Sequence, residues 1–323
     1  MLHGKKSIGV LTSGGDAPGM NAAIRAVVRT SIAKGILPIG IIRGYNGLLE
    51  KNICKMDARS VSGIIQKGGT ILKTARCKEF YEAEYRKKAL ENAREIGLDG
   101  LVVIGGDGSY RGAGYLSEMG LPCVGIPGTI DNDIACTEYT IGFDTAMNTV
   151  LQCVDKLDDT CKSHERCSVV EVMGRHAGHV ALNTGIATGA IGIVTEEVPN
   201  KIEDIAKHIQ KAREIGKEHF VVIVSEGYGK PHEIAEAIQE ITGVESRATV
   251  LGHIQRGGAP TLKDRVIATQ MGHRAVELLA DGIGDRVISL QNNQVVDLDL
   301  QEALRMKKDL DRNLYEILLD TSF

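Results

Sequence analysis

The sequence lacks any excess of basic charge, any long apolar run and any recognisable secretion signal. Its formal net charge is −4, which provides no basic surface for collecting a nucleic-acid backbone. The longest stretch without a charged residue or a histidine, 180–195, contains three glycines and is shorter than the ~20 apolar residues that a membrane span requires. A glycine-aspartate turn follows the first 13 residues, where a signal peptide would have to continue its apolar region. We therefore expect no nucleic-acid partner and no membrane association.

The sequence also lacks paired cysteines. Its seven cysteines are odd in number, irregularly spaced and without a C-x-x-C pair, which is typical of reduced thiols in a cytoplasmic protein. None has the spacing of a zinc site, so a metal ion, if one binds, should have oxygen ligands and be a hard cation. These cysteines are Cys54, Cys77, Cys123, Cys136, Cys153, Cys161 and Cys167.

Apolar segments of strand length alternate with amphipathic segments of helical period along the whole chain. IGVLTS, LVVIGG, SVVEVM and FVVIVS are examples of the first kind, and IEDIAKHIQKAREIG is one of the second. This alternation predicts an α/β protein with mostly parallel sheets sandwiched by helices. A length of 323 residues is enough for about two ordinary domains. No Pro/Gly/Ser-rich linker marks a boundary between them.

The two best-known nucleotide-binding motifs are absent. Gly14 and Gly19 have the spacing of a Walker A loop, but Met20 and Asn21 follow in place of lysine and a hydroxyl residue. In the second glycine cluster, Gly112 falls one residue too late for a dinucleotide fingerprint. Nevertheless, IGVLTSGGD and LVVIGGDG each lead from an apolar strand through Gly-Gly-Asp into a helix. Glycine turns of this kind let a phosphate approach the free N–H groups of a helix start.

Three aspartates follow predicted strands and suggest two kinds of chemistry. Asp107 follows two glycines and is either an Mg²⁺ ligand or the cap of a helix opening at Ser109. Asp131 and Asp133, in PGTIDND, are two residues apart, so in an extended segment their side chains point the same way. One of them could accept a proton from an alcohol while the other orients a cation; the alternative is an Asx turn that closes the strand.

The arginines near two of the predicted strands fall into two sets. Arg166 and Arg247 precede SVVEVM and ATVLG, whereas Arg175 and Arg256 follow them. A strand of this length separates its ends by roughly 20 Å or more, so the two sets cannot hold one phosphate within one subunit. We expect Arg175, Arg256 and the nearby His253 to bind an anionic substrate at the carboxyl ends. Arg166 and Arg247 would then reach a neighbouring subunit's site across a symmetric interface.

Taken in order, several of these motifs resemble the bacterial ATP-dependent 6-phosphofructokinase family over essentially the whole chain. They are LTSGGDAPGMNAAIR, GLVVIGGDGSY, PGTIDNDI, SVVEVMGRHAG and RATVLGHIQRGG. The resemblance implies two doubly wound lobes, a homotetramer, and transfer of the γ-phosphoryl group of MgATP to the 1-hydroxyl of fructose 6-phosphate, a step of glycolysis. It also implies an ATP-binding lobe, 1–141 plus 254–304, and a sugar-phosphate lobe, 142–253 plus 305–323.

The resemblance also assigns roles to individual residues. Asp131 would take the proton of the 1-hydroxyl, with Thr129, Asp133 and Arg175 beside it, and Asp107 would serve Mg²⁺. The positions implied for ATP are Gly15, Tyr45, Arg76, Cys77, Gly106, Asp107, Gly108 and Ser109. The positions implied for the sugar phosphate are Thr129, Asp131, Arg166, Met173, Gly174, Arg175, Glu226, Arg247, His253 and Arg256, with Arg166 and Arg247 supplied by the adjacent subunit.

Two glycines bear on the choice of phosphoryl donor. Pyrophosphate-dependent relatives carry aspartate at the position of Gly108 and lysine at that of Gly128. Both positions are glycine in this sequence, and a side chain at Gly108 would crowd the α-phosphate of a nucleotide. The sequence therefore favours ATP over pyrophosphate.

The sequence departs from the family pattern at the effector pocket, where ADP or phosphoenolpyruvate usually binds. Arg25, Arg29 and Lys217 remain, but several other positions lack the expected charge. Losing two or more cations and gaining acids should cost several kcal/mol of anion binding, so we expect a weak effector response. The altered positions are Ala58, Asp158, Ile191, Ile215 and Glu218.

Two other functions are compatible with parts of this pattern. A kinase with GGDG-type turns but another acceptor, such as an NAD, lipid or tagatose 6-phosphate kinase, would share the glycine turns. The MGR and GHIQRGG segments argue against it. A regulatory homologue without turnover would bind the sugar phosphate only, and the presence of Asp107, Asp131 and Arg76 argues against that alternative.

Overall fold

A computed structural model describes residues 6–198 and 201–322. The chain forms two compact units. The first comprises the described residues up to Ile130, Ile134–Thr145 and Arg256–Lys308, and the second comprises Asp131–Asp133, most of Ala146–Gln255 and the residues from Asp309 onward. The lobe ends predicted at residues 1 and 323 lie outside the described residues.

The first unit contains a seven-stranded sheet in the order β11-β10-β5-β4-β1-β2-β3. Strands β10, β5, β4, β1 and β2 pair in parallel, whereas β3 and β11 are antiparallel at the two edges. The strands are β1 (Ser7–Thr12), β2 (Leu37–Ile41), β3 (Ile53–Lys55), β4 (Gly100–Gly105), β5 (Cys123–Pro127), β10 (Arg286–Gln291) and β11 (Gln294–Asp299).

Helices cover both faces of this sheet because successive residues of its central strands point in opposite directions, and most of them are apolar on either side. On one face, Leu101 and Val103 pack against residues of α2, α3 and α4; α1 and α9 pack against each other and also contact β4. These helices are α1 (Met20–Ala33), α2 (Gly44–Glu50), α3 (Ala83–Ile96), α4 (Asp107–Glu118) and α9 (Leu262–Ala280), with the short α10 (Leu300–Ala303) near β11.

The second unit contains a four-stranded, fully parallel sheet in the order β7-β8-β6-β9. Helices α7 and α8 share a buried cluster with this sheet around Phe220, Ile209 and Ile238. The strands are β6 (Cys167–Val172), β7 (Gly192–Val194), β8 (Phe220–Ser225) and β9 (Ser246–Val250). The helices are α6 (His179–Ala187), α7 (Ile202–Glu214), α8 (Pro231–Thr242), α11 (Arg312–Thr321) and, from Ala146 onward, α5 (Phe143–His164).

The structure confirms the predicted α/β class with mostly parallel sheets flanked by helices. Every residue of β1, β4 and β8 is buried, as expected for central parallel strands. Within the described residues, no helix is both long enough and apolar enough to span a bilayer.

Candidate active site

The two Gly-Gly-Asp turns lie side by side in the first unit, because the parallel strands β1 and β4 that precede them are hydrogen-bonded neighbours. A Cβ atom at Gly105 would lie 2.5 Å from the Ser13 carbonyl oxygen, so only glycine allows this close approach. Helix α4 begins at Asp107, with Gly106 in the N-cap position. The interpretation of Asp107 as the cap of a helix opening at Ser109 is therefore wrong. Its carboxylate instead occupies the first helical turn, where negative charge is favourable.

The surface above this turn is open. A Cβ atom at Gly106 or at Gly108 would meet no atom of the chain within 4 Å, and neither residue has the positive φ that requires glycine. Packing and backbone geometry therefore do not explain these two glycines. The free space leaves the N–H groups at the start of α4 accessible to an anion.

Hydrogen bonds attach the segment 67–77 to the first glycine turn. The Thr74 hydroxyl donates to the Gly14 carbonyl at 2.7 Å, and the buried Asn21 amide bonds to the backbone of the same segment. Arg76 and Cys77 are thereby placed in this part of the first unit; Arg76 is exposed and Cys77 is partly buried. Burial raises the pKa of the Cys77 thiol, so this thiol is neutral at pH 7.

Tyr45 lies beneath the α4 turn as a buried support. Its side chain is only 4% exposed, its ring stacks on Phe80 with centroids 4.2 Å apart, and its hydroxyl donates to the Ser109 carbonyl at 2.5 Å. Burial raises the pKa of this phenol well above its ordinary value. Tyr45 therefore positions Ser109 and the start of α4 from below.

Arg256 lies against the first glycine turn. A Cβ atom at Gly15 would be 3.3 Å from two atoms of the Arg256 guanidinium, so the planar cation rests on the bare backbone of this glycine. The resemblance assigned Gly15 to ATP and Arg256 to the sugar phosphate, and the structure brings the two together. Thr129, also in the first unit, accepts the Thr140 hydroxyl through its carbonyl at 2.7 Å.

In the second unit, the two aspartates of PGTIDND approach one arginine. Arg175 Nε lies 3.9 Å from Asp131 Oδ2, and Arg175 Nη1 lies 4.0 Å from Asp133 Oδ2. The backbone between the aspartates is not extended as expected, because Asn132 has φ of 51°. The Asp131 side chain is 7% exposed and that of Arg175 is 60% exposed. A buried carboxylate therefore lies beside a solvent-accessible cation.

The turn that carries Arg175 has two successive residues with positive φ, Gly174 at 146° and Arg175 at 54°. The Glu226 carboxylate accepts the Arg175 N–H at 2.7 Å and the Gly174 N–H at 3.4 Å. Gln255 Oε1 accepts the Met173 N–H at 3.1 Å. Three consecutive backbone N–H groups are thus satisfied by two side chains. Gln255 was not among the residues predicted from the sequence.

His253 belongs to the short 3₁₀ helix Gly252–Arg256 and is exposed. It follows β9, whereas Met173–Arg175 follows β6, and β6 and β9 are paired in parallel. The segments after these strands are therefore adjacent at the carboxyl edge of the sheet, as predicted.

At the opposite edge of the same sheet, Arg166 and Arg247 converge on one carboxylate. Arg166 Nε lies 2.9 Å from Glu245 Oε2, and Arg247 Nη2 lies 2.6 Å from Glu245 Oε1. Hydrogen bonds from both arginines hold the pKa of Glu245 below its ordinary value. Arg247 is the second residue of β9 instead of preceding the strand as predicted. Sequence reasoning missed Glu245, which joins the two arginines.

Several residues predicted for an effector pocket form hydrogen bonds or ion pairs with other residues of the chain. Lys217 Nζ donates to the Ser322 carbonyl at 3.3 Å, and burial lowers the pKa of Lys217. Asp158, at a position expected to be basic, pairs with Lys162 at 2.7 Å and lies 3.4 Å from His219. Arg29 Nη2 donates to the Ala58 carbonyl at 3.4 Å, and Arg25 precedes it by one turn of α1.

A model of the phosphofructokinase family matches residues 7–279. The chain is 56% identical over 318 residues to the ATP-dependent 6-phosphofructokinase of Clostridium tetani, covering 98% of this chain and all of the relative. It is 54% identical over 312 residues to that of Clostridium botulinum, covering 97% and 98%. The crystal structure of Pichia pastoris phosphofructokinase in the T-state superposes with a TM-score of 0.94 at 37% identity; all of this chain is covered, but it spans only 40% of the fungal chain.

Proposed function

The chain belongs to the phosphofructokinase family, and we propose that it transfers the γ-phosphoryl group of ATP to the 1-hydroxyl of fructose 6-phosphate. The products are fructose 1,6-bisphosphate and ADP. The observation that carries this proposal is the buried Asp131 carboxylate beside the exposed Arg175 guanidinium. Together they provide a proton acceptor for an alcohol and a ligand for an anion. The relatives that align along almost the whole chain support the same reaction.

ATP would bind in the first unit, along the open surface above Gly106 and Gly108. A Cβ atom at either glycine would meet no atom of the chain within 4 Å, which leaves space for phosphate groups, and the positive end of the α4 dipole attracts their negative charge. Arg76 and Cys77 lie on the segment attached to the first glycine turn, so they would contact the nucleotide from the side. Tyr45 would act mainly by supporting Ser109.

The residues of this turn fit a magnesium ion. Among the described residues, no cluster of three or more His, Cys, Asp or Glu side chains offers a complete metal cage. Mg²⁺ in kinases needs no such cage, because one or two carboxylates bind it together with phosphate oxygens and water. Asp107, exposed at the start of α4, would be that carboxylate. The bound cation would neutralise charge on the phosphate oxygens.

The chemistry would depend mostly on positioning. In a loose phosphoryl-transfer transition state, negative charge spreads over the transferring group and is stabilised by nearby cations; Arg76 and Arg175 would supply these. Asp131 would remove the proton of the 1-hydroxyl as the new P–O bond forms and the bond to ADP breaks. Thr129 and Asp133 would orient the reacting groups. Met173, Gly174, Glu226, His253 and Arg256 would complete the sugar-phosphate site.

We also propose that the active form is a homotetramer in the cytoplasm. Arg166 and Arg247 lie at the edge of the sheet opposite Arg175, where they would serve a neighbouring subunit's sugar phosphate. All seven cysteines lie within the described residues and are free thiols, which suits a reducing compartment.

The two donor-selecting glycines differ in their surroundings, and both favour ATP over pyrophosphate. Gly108 has open space around it, whereas a Cβ atom at Gly128 would lie 3.0 Å from Ile104 and 3.2 Å from Met20. A lysine at 128 would therefore require both neighbours to move. An aspartate at 108 would fit the chain but would repel a nucleotide's α-phosphate.

A coupled assay for ADP release with fructose 6-phosphate tests the proposed function. ATP, GTP and pyrophosphate should be compared as donors, and tagatose 6-phosphate as an alternative acceptor. We expect turnover with ATP and fructose 6-phosphate to exceed all other pairs. Binding of fructose 6-phosphate without turnover would instead identify a regulatory homologue.

A further inference from the structure

The turn Met173–Arg175 holds an unfavourable backbone conformation. Arg175 has a left-handed φ of 54°, which residues with a Cβ atom adopt only when the surrounding structure imposes it. Gly174 cannot be replaced, since a Cβ atom there would lie 2.5 Å from the Ala177 carbonyl oxygen. Gly227 packs so closely that its Cβ atom would be 2.3 Å from the Arg175 carbonyl oxygen. Some set of contacts must therefore stabilise this turn.

Gln255 provides one of these contacts from the neighbouring segment. Its side chain is completely buried. Its Oε1 accepts the Met173 N–H at 3.1 Å, and its Nε2 donates to the Gly252 carbonyl at 3.0 Å. The amide thus bridges the segment after β6 to the segment after β9. These two segments carry Arg175 and His253, both of which the proposed function assigns to the sugar phosphate.

An amide suits this position. The bridge needs one acceptor for a backbone N–H and one donor for a backbone carbonyl at the same buried point, and a carboxamide offers both without charge, on two separate atoms. A carboxylate would place an uncompensated negative charge beside the Gly252 carbonyl, and an apolar group would leave both backbone groups unsatisfied. The chain supplies glutamine.

We propose that Gln255 is a positioning residue that fixes the spacing of the two substrate-binding segments and thereby the direction of Arg175. The expected change in KM rests on the proposed function, but the role of Gln255 in holding the turn does not depend on any substrate. Glu226 holds the other two N–H groups of the turn, so loss of Gln255 should loosen the turn without abolishing it.

The experiment compares Gln255→Met with wild type in the full-length protein. Hydrogen exchange measured by mass spectrometry should show faster exchange of the amides at 173–175 in the variant, by at least tenfold. Steady-state kinetics should show KM for fructose 6-phosphate raised about tenfold, equivalent to about 1.4 kcal/mol. KM for ATP should stay within about twofold of wild type.

A matched control is Asn92→Leu. Asn92 is also a buried amide, and it bonds two backbone carbonyls, those of Leu48 and Leu49. This variant should lose a similar amount of stability without changing KM for fructose 6-phosphate. If Gln255→Met does not fold, Gln255→Glu retains the acceptor for Met173 and should give intermediate exchange at the turn.

Unchanged exchange at 173–175, or equal rises in the KM of both substrates, would overturn the inference. If the wild-type protein does not phosphorylate fructose 6-phosphate, the proposed function fails, while the exchange measurement still decides whether Gln255 holds the turn.

Discussion

Replacing Asp131 by asparagine should remove the proton acceptor while keeping its shape. Asparagine has the same size as aspartate and still fits the buried pocket, but its amide cannot take the proton of the sugar hydroxyl. A general base contributes about 10²- to 10⁴-fold in rate, equivalent to about 2.7 to 5.4 kcal/mol at 1.36 kcal/mol per tenfold. We expect kcat to fall by this factor.

The loss of the ion pair with Arg175 is a smaller effect. The guanidinium is 60% exposed and 3.9 Å from the carboxylate, and pairs of this kind contribute only about 0 to 1 kcal/mol. KM for fructose 6-phosphate should therefore change by less than about fivefold. The difference between the two magnitudes makes kcat the decisive quantity.

Asp133→Asn is the matched comparison. It removes the same charge from the same short segment, and Asp133 lies 4.0 Å from the same guanidinium. The two variants are compared by their rates of ADP release at saturating substrates. Urea unfolding checks that they have similar stability. Equal losses of kcat in both, or a loss in Asp131→Asn that follows its stability, would refute the assignment of Asp131 as the base.

Four further outcomes are expected. Co-expression of Asp131→Asn chains with Arg247→Ala chains should give more activity at low fructose 6-phosphate than the two variants assayed separately. The reason is that the Asp131→Asn chain supplies Arg247 to the site of a neighbouring Arg247→Ala chain, which has an intact Asp131. Activity equal to the sum of the two variants would contradict donation between subunits. Gly108→Ala should raise KM for ATP at least tenfold yet stabilise the protein by about 0.4 to 1 kcal/mol, and urea unfolding with kinetics measures both. Burial raises the pKa of Asp297, but hydrogen bonds from two arginines hold this pKa below its ordinary value of 3.8. The stability that the ionised carboxylate contributes is therefore complete above about pH 3.8 and is lost as the pH falls further. Asp297→Asn should therefore lower the free energy of unfolding by about 1 to 2 kcal/mol at pH 7, with the difference closing in more acidic urea titrations. ADP and phosphoenolpyruvate should each alter activity only weakly, and a strong response to either in an activity titration would show that the effector pocket still works.

The sequence predicts the buried parallel strands well because a strand that is buried on both faces has an almost continuous apolar sequence, as in β4 and β8. The β10–β11 hairpin was missed. Asn292 and Asn293 form its two-residue turn with φ of 49° and 61°, and asparagine is one of the residues that adopt positive φ most readily. Helix α8 also carried its own signals, with Pro231 in its first turn and Gly243 at its end. Both could have been predicted from local residues.

Side-chain direction could not be predicted in the same way. Nothing in the sequence shows that Tyr45 points under α4 toward Ser109, or that the Glu226 carboxylate faces backbone N–H groups. These orientations depend on which strands become neighbours, which is a property of the whole sheet. The residue types were informative about chemistry, but their partners came only from the tertiary structure.

Some glycines at the end of β4 and in α4 are required by packing, whereas Gly108 is not. At Gly105 and Gly112 a Cβ atom would collide with the chain itself, within 2.5 Å of Ser13 and 2.7 Å of Tyr45, so packing alone requires them. Gly108 lies in the first turn of α4 with open space around it, where glycine weakens the helix relative to alanine. A residue that costs stability and fills no packing need calls for another cause, and the proposed binding of a phosphate against that bare backbone would supply one.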